Sequence, residues 1–376
     1  MTRRISVMML TLLLAASLCW SADVKGSRAT IGTGEDAITV LYLHGTPYEM
    51  GYAHGQLAKQ EVAHLCQDVV ATMAAGAGIT MEQVDEAWAT MEPFVPPAYL
   101  EEMNGLADGA GIPLQAVQRM HAVPDLSEYH CTFFAAWGSA TRDGHLIQIR
   151  ALDYKTGAHI QDHPALLVYR PDEGQPFVNV GWLGFIGLVT GMNAAHVAMS
   201  EIGDNFGEAH ETLAGEPMPF VMRDVVQFAD NLPDAVKTVR DAKRTSSFLY
   251  CIGDAKIPDA RTLVTGSDFC RVYSSRSLPF ALLPGVVYTS MGMDSNWNPK
   301  VRQVLEQGEG NIDPDFAAQT LMRGCKTGDL HSVVFDATTL ELWAANATPE
   351  GEPGYNREFV RFNLDEALKG PQMAQE

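Results

Sequence analysis

Basic residues are scarce in this chain. Only 26 Lys and Arg stand against 46 Asp and Glu, a formal charge of −20 at pH 7. A surface of that sign repels phosphate backbones and anionic membranes, which excludes nucleic-acid binding. Cysteines are few as well: six in 376 residues, no two at CxxC spacing, which argues against a structural zinc site. Beyond the N-terminus no run is long and apolar enough to span a bilayer, so no stable membrane insertion is expected. Repeats and low-complexity tracts are absent. With 46% hydrophobic and 19% charged residues the balance is that of a globular protein, large enough for one big domain or two ordinary ones.

What is present begins with a targeting segment. Arg3 and Arg4 form a basic region, and Ile5 to Leu18 form an apolar one interrupted by Ser6, Thr11 and Ser17. Small residues follow at Ser21-Ala22, so residues 1–22 read as a signal peptide of an exported (periplasmic or extracellular) protein. Leu18 is bulky where a lipoprotein signal at Cys19 needs a small residue. Loss of that segment leaves Cys66, Cys131, Cys251, Cys270 and Cys325, an odd number, so at least one thiol stays free. The others are either paired in up to two disulfides or buried as small hydrophobes.

Along the chain, Val24 to Asp36 reads as a loose lead-in and Ile38 to Leu43 as a strand. Thr46 suits a helix N-cap with Pro47 at the first helical position, and apolar residues then recur at helical spacing to Gly76. Helices are expected over Met81 to Met91, Ala98 to Ala107 and Leu114 to His121, then a polar loop from Asp125 to His130. At Cys131 the pattern switches abruptly to short strands: 131–137, 145–152, 165–170, 176–182 and 196–200. Helices near Pro217 to Ala229 and Pro233 to Ala242 precede more strands at 247–253, 261–265, 270–273 and 286–289. Helical segments at Trp297 to Glu306 and Asp313 to Arg323 lead to strands at 331–336, 340–345 and 358–363. This arrangement predicts layered α+β, antiparallel sheets covered by helices.

Cys131 opens the first of those strands. A turn at Asp143-Gly144 returns the chain as a second strand carrying Arg150 and Asp153 among Leu146, Ile147, Ile149, Ala151 and Leu152. Charges in such a run are costly to bury without partners. A free thiol titrates at about 8.5 and is mostly protonated at neutral pH. Were the His130–Cys131 bond cut, the new α-amine, with a pKa of about 7.7–8.0, would give the thiol a base on its own residue. The thiol itself can make that cut by attacking the carbonyl of His130. An aspartate can hold a protonated amine, and an arginine can draw down a thiol pKa or bind a carboxylate.

The segments Cys131-Thr132-x-Phe134-Ala135-Ala136-Trp137-Gly138, Asp143-Gly144 and Ile147-x-x-Arg150-x-Leu152-Asp153-Tyr154 resemble the isopenicillin N acyltransferase family of autoproteolytic cysteine N-terminal-nucleophile (Ntn) hydrolases. His44-Gly45-Thr46-Pro47-x-x-Met50-Gly51, His54-Gly55-Gln56-Leu57, Gly184-Phe185-Ile186-Gly187 and Thr190-Gly191-Met192-Asn193 are similar to further blocks of that family. The resemblance implies an αββα sandwich of two antiparallel sheets between helical layers. Residues 23–130 would form an α-segment released by cleavage before Cys131 and remaining associated with the β-segment 131–376. It implies Cys131 as nucleophile and, through its amine, as base, with Asp153 orienting the amine and Arg150 beside the thiol or the substrate's polar end. Asn193 would be an oxyanion donor, worth about 3–4 kcal/mol in comparable sites. No cofactor is implied. The implied substrate is a small-molecule N-acyl amide, hydrolysed, or transferred to a second amine.

His130 stands where many relatives have glycine, and Thr289-Ser290 stands where they carry a Thr-Asn donor pair. Arg302 is a weak counterpart of their late arginine. His159, Asp162 and His163 sit near Gly157 and Pro164 and read as a solvated loop rather than metal ligands. His44 and His54 read as local hydrogen-bonding residues, Met291-Gly292-Met293 as lining a pocket or packing, and Asn346-Ala347-Thr348 as a sequon followed by Pro349. Two rival functions remain. A papain-like thiol hydrolase needs a helix after Cys131, which the β-rich sequence disfavours, and a non-catalytic binding protein on the same fold would never be cut.

Overall fold

A computed structural model describes residues 24–126, 130–204, 206–277, 279–290, 299–370 and 373. The segment expected as a signal peptide, Met291-Gly292-Met293 and the expected helix start at Trp297 lie outside the described residues. Strands are numbered in chain order. β1 (Gly26–Ile31) and β2 (Ile38–Gly45) precede the helices Pro47–Leu57, Lys59–Gly76, Met81–Met91, Pro97–Ala110 and Leu114–Ala122. β3 (His130–Gly138) and β4 (Gly144–Asp153) form the expected hairpin, and β5 (Pro164–Pro171), β6 (Phe177–Trp182), β7 (Thr190–Asn193) and β8 (Val197–Gly203) follow. After helices Met218–Phe228 and Leu232–Asp241 come β9 (Phe248–Asp254), β10 (Asp259–Thr265), β11 (Cys270–Tyr273) and β12 (Val286–Ser290). Helices Pro299–Gln307 and Phe316–Arg323, then β13 (His331–Asp336), β14 (Glu341–Asn346), β15 (Val360–Asn363) and the short helix Leu364–Lys369 complete the order.

The strands make two sheets, β1-β2-β5-β6-β7-β8-β9-β10-β11 and β12-β3-β4-β13-β14-β15. Alternation along β3 and β4 divides their side chains between two cores. Cys131, Phe133, Ala135, Leu146 and Leu152 face the first sheet, packing in one cluster with Ile202 and Cys251. Phe134, Ala136, Ile147, Ile149 and Ala151 face outward onto Val301, Leu305, Leu321 and Met322 of the two late helices. The helices Pro47–Leu57, Met218–Phe228 and Leu232–Asp241 cover the outer face of the first sheet, and Pro97–Ala110, Leu114–Ala122 and Met81–Met91 pack on from Pro47–Leu57. The architecture is thus α+β in four layers, helix–sheet–sheet–helix, as the sequence implied.

Three expectations need correction. The lead-in at Val24 to Asp36 contains β1, whose polar Ser27, Arg28 and Thr30 hid an edge strand paired to β2 along its length. The sheets are not wholly antiparallel, because β2 runs parallel to β5. The helix after Thr46 is not continuous to Gly76: it breaks at Ala58, whose backbone turns to φ −144°, and has a wide π turn over His64–Val69. Its start matches expectation, with Thr46 and Glu49 forming a reciprocal capping box and Pro47 in the first turn. The Gly51 motif position also has a physical reason. A Cβ there would come within 2.0 Å of the Glu102 carbonyl oxygen on the helix packed across it. No disulfide joins any two of the five cysteines of the described chain, four of which are buried, which favours the alternative of small buried side chains over paired bridges.

Candidate active site at the start of the central hairpin

Register fixes the site. Cys131 pairs with Leu152 and His130 with Asp153, so the predicted scissile bond lies opposite the end of β4. Directly opposed residues share a face, and so do residues two apart. Cys131, Leu152 and Arg150 therefore project into the space between the sheets, while Thr132, Ala151 and Asp153 project to the other side. His331 pairs with Leu152 from β13 and joins the inner face.

On the inner face Arg150 is fully buried and ion-paired to Glu201 of β8, on the opposing sheet. The guanidinium lies against the Cys131 thiol, while its Nε and Nη1 have no hydrogen-bond partner among the described atoms. Burial pushes the Cys131 thiol up to about 12, the dominant cause; Arg150 opposes the shift and Glu201 and Asp153 add to it. In the uncut chain the thiol is protonated at neutral pH. The Asp153 backbone N–H donates to Sγ.

On the other face, Asp153 sits in a cradle of donors. Its Oδ1 accepts from the N–H of Gly328 (2.6 Å) and Asp329 (3.1 Å), and its Oδ2 from the hydroxyl of Thr327 (2.8 Å). The loop Lys326–Asp329 achieves this by placing Lys326 at φ +56° and Gly328 at φ +88°, so that successive N–H groups converge on one anion. A Cβ on Gly328 would lie 2.2 Å from Ser332 Oγ, so only glycine fits. Burial still raises the Asp153 carboxyl to about 6, against the pull of these donors.

Next to the inner face lies a small apolar cavity of about 60 Å³. Leu152 and Trp182 line it from the sheets, Leu330 from the loop just before β13, and Met73, Met120 and Pro124 from residues 24–126. Glu201, the partner of Arg150, is its one acidic lining residue, and Leu152, which pairs with Cys131 across the hairpin, lines it as well. A well-formed apolar pocket beside convergent polar groups is the usual form of a small-molecule site.

The structure does not bring Asn193 to this cluster. Its amide donates to the carbonyls of Val226 (3.0 Å) and Ala229 (2.9 Å), and its Oδ1 accepts from Val197 N–H (2.9 Å). Glu201 marks the thiol's end of β8; Asn193 bonds the other end, four residues away and so about 13 Å along a strand. The oxyanion role is therefore corrected to a turn-locking one. Arg302 is exposed on the outer helical layer, paired with Glu306. His159 bonds to Asp162 at the surface, and His163 Nε2 meets His64 Nδ1 at 3.0 Å. Among the described residues no three metal-binding side chains gather. His54 is structural: buried and pushed down to about 3, its Nε2 accepts from Gly184 N–H (2.9 Å). His121 does the same for Ile186 and Gly187. The His54-Gly55 and Gly184 to Gly187 motifs are thus two sides of one seam.

Sequence reasoning missed Glu201 and the loop Lys326–Asp329. A lone carboxylate inside the apolar run Val197-Ala198-Met199-Ser200-Glu201-Ile202 was the available signal for the first. The turn-rich Lys326-Thr327-Gly328-Asp329 before β13 was the signal for the second.

No family model matches the chain. In sequence it is similar to protein dcd1B of Dictyostelium discoideum, 29% identical over 396 residues that span 92% of this chain and 77% of that protein. Protein dcd1A of the same organism is 25% identical over 396 residues, spanning 90% and 88%. Among solved structures it is similar to a Caenorhabditis elegans N-acylethanolamine-hydrolyzing acid amidase ortholog, with a TM-score of 0.46 and 17% identity, covering 61% of this chain and 98% of that one.

Proposed function

We propose that the chain is an exported, self-processing cysteine amidohydrolase of the N-terminal-nucleophile type, acting on small N-acyl amides. One observation carries the reading: the start of β3 has the thiol and Arg150 on one face of the sheet and the cradled Asp153 carboxylate on the other. A new amine at Cys131 would lie in the plane between them. It would be near enough to both to hand a proton to either side.

Processing begins with attack of Sγ on the His130 carbonyl carbon. The peptide C–N bond breaks, the nitrogen becomes the amine of Cys131, and water hydrolyses the resulting thioester to leave a carboxylate on His130. In turnover the amine takes the thiol proton and Sγ attacks the substrate's amide carbonyl. Collapse of the adduct expels the substrate amine, which takes that proton from the ammonium of Cys131. Water then releases the acyl group as an acid; a second amine in its place gives acyl transfer. Asp153 holds the ammonium, Arg150 stabilises negative charge on sulfur, and Glu201 fixes Arg150. The apolar cavity receives the acyl group.

Intact mass tests the reading. Wild-type protein is expected as two pieces, ending at His130 and beginning at Cys131, and Cys131→Ala as one chain. The wild type should release amine from N-acyl amides, and the variant should not. A wild-type preparation that remains one chain, indistinguishable from the variant, sinks the mechanism.

A further inference from the structure

The helix Met218–Phe228 begins without a cap of its own, because Pro217 at its N-cap makes no side-chain bond. Its first N–H is taken instead by a carboxylate from the other end of the chain. Met218 N–H is shared between Asp125 Oδ1 and Oδ2, at 3.3 Å each, and the Thr245 hydroxyl donates to Oδ1. A negative group there also meets the positive end of the helix dipole. Thr245 is buried, and Leu126, the next residue along from Asp125, packs against the main core. Asp125 is therefore fastened to two separate places in the stretch after residue 130.

Asp125 stands five residues before His130. A stretch of that length reaches at most about 18 Å, so a fixed Asp125 limits where the junction can go. On the other side of the scissile bond the ladder takes over, with His130 paired to Asp153 and Cys131 to Leu152. Attack of Sγ on the His130 carbonyl closes a small ring of C, N, Cα, Cβ and Sγ, so the reacting atoms are never far apart. What varies is the tilt of the peptide plane, because Sγ must meet the face of the carbonyl carbon and not its edge. A plane gripped from one flank can swing; gripped from both, it keeps one tilt.

We propose that Asp125 is a positioning residue for self-cleavage, setting the tilt of the His130–Cys131 peptide plane through its bonds to Met218 and Thr245. The role rests on the reading of the chain as self-processing. Asp125 acts only through the tether and touches neither thiol nor substrate. The cut turns its bonds into bonds between two pieces, since Asp125 stays with the first and Met218 and Thr245 with the second. Its work on the junction then ends. Turnover uses the Cys131 amine, Arg150 and Asp153, none of which bonds to Asp125 among the described residues. The role predicts a split that a general loss of stability would not give: slow processing with normal turnover.

The test follows the full chain from cell-free synthesis at pH 8, above the value of about 7 to which burial raises the Asp125 carboxyl. Intact mass against time gives the rate at which the two pieces appear. Asp125→Ala is expected to slow that rate about tenfold, the scale of a lost orientation. Thr245→Val, which removes one of the two bonds, should slow it about threefold. Asp125→Asn keeps an accepting oxygen and should restore it to within about threefold of the parent. Once fully cut, Asp125→Ala should release amine from N-acyl amides with the parent's kcat. Processing of Asp125→Ala at the parent rate overturns the role. So does a kcat that falls in step with processing, or an Asp125→Asn chain no faster than Asp125→Ala. Should Asp125→Ala not fold, Thr245→Val decides, and parent-rate processing there overturns the role as well. A wild type that never cuts removes the self-processing reading and this role together; a wild type that cuts, with Asp125→Ala cutting as fast, removes this role alone.

Discussion

Arg223 offers a quantitative test of how residues 24–126 are held to the rest. It is fully buried on the helix Met218–Phe228, and its fork meets Glu102 of the helix Pro97–Ala110. The contacts are 3.0 Å from Nη1 to Oε1 and 2.6 Å from Nη2 to Oε2. Nη1 also donates to the Ile186 carbonyl (2.8 Å), and the guanidinium lies 4.7 and 4.6 Å from the rings of Tyr99 and Tyr169. Burial raises the Glu102 carboxyl even beside this arginine. Arg223→Met removes the cation and leaves a buried carboxylate unpaired, which costs about 3–5 kcal/mol. The double change Glu102→Leu/Arg223→Met removes the stranded charge as well and is expected within about 1–2 kcal/mol of the parent.

The penalty carries its own pH signature. With Arg223 gone the Glu102 carboxyl rises further above its unfolded value, so the single variant is least impaired near pH 5. It should lose up to about 1.4 kcal/mol per pH unit above that. Urea unfolding of the Cys131→Ala chain, followed by tryptophan fluorescence at pH 5 and pH 8, measures all of this on one intact polypeptide. A single-variant penalty under about 1 kcal/mol at pH 8, or a double variant no better than the single, refutes the assignment of the pair as the clamp.

Gly328→Ala should slow the appearance of the two pieces at least tenfold on a time-course gel, since the methyl cannot coexist with Ser332 Oγ and the loop must withdraw its N–H groups from Asp153. Stability should show a plateau between about pH 4.5 and 6.5 and fall on both sides. Burial raises Asp125 to about 7, Asp153 to about 6 and Glu216 to about 8. These groups contribute stability at low pH that is lost as pH rises through those values. Burial lowers His54 to about 3, His121 to about 4 and His331 to about 3. Their contribution is complete above about pH 6.5 and lost as pH falls towards those values. Melting temperatures from pH 3 to 9 check this, and a monotonic profile contradicts it.

The parts of the site legible in the sequence were those joined by short chain. Asp143-Gly144 announced a hairpin, and a hairpin alone sets Cys131 beside Leu152 and carries Arg150 and Asp153 along. Thr46 with Pro47, and the switch of period at Cys131, were equally local. Glu201 was not legible, because its partner Arg150 lies 51 residues away on the other sheet and no spacing rule links them. The cradle around Asp153 was hidden for a different reason: its donors are largely backbone N–H groups, which every residue has. Asn193 misled because an asparagine that locks a turn and one that binds an oxyanion have the same local sequence; only its hydrogen bonds distinguish them.

The cavity wall is divided between two stretches of chain. Every group placed in the chemistry comes from residues after 130, whereas Met73, Met120 and Pro124 come from before it. Selection can therefore reshape what the cavity admits through substitutions in the N-terminal stretch, leaving the reacting atoms untouched. Exchanging that stretch between related chains would be a direct way to move substrate preference from one to another.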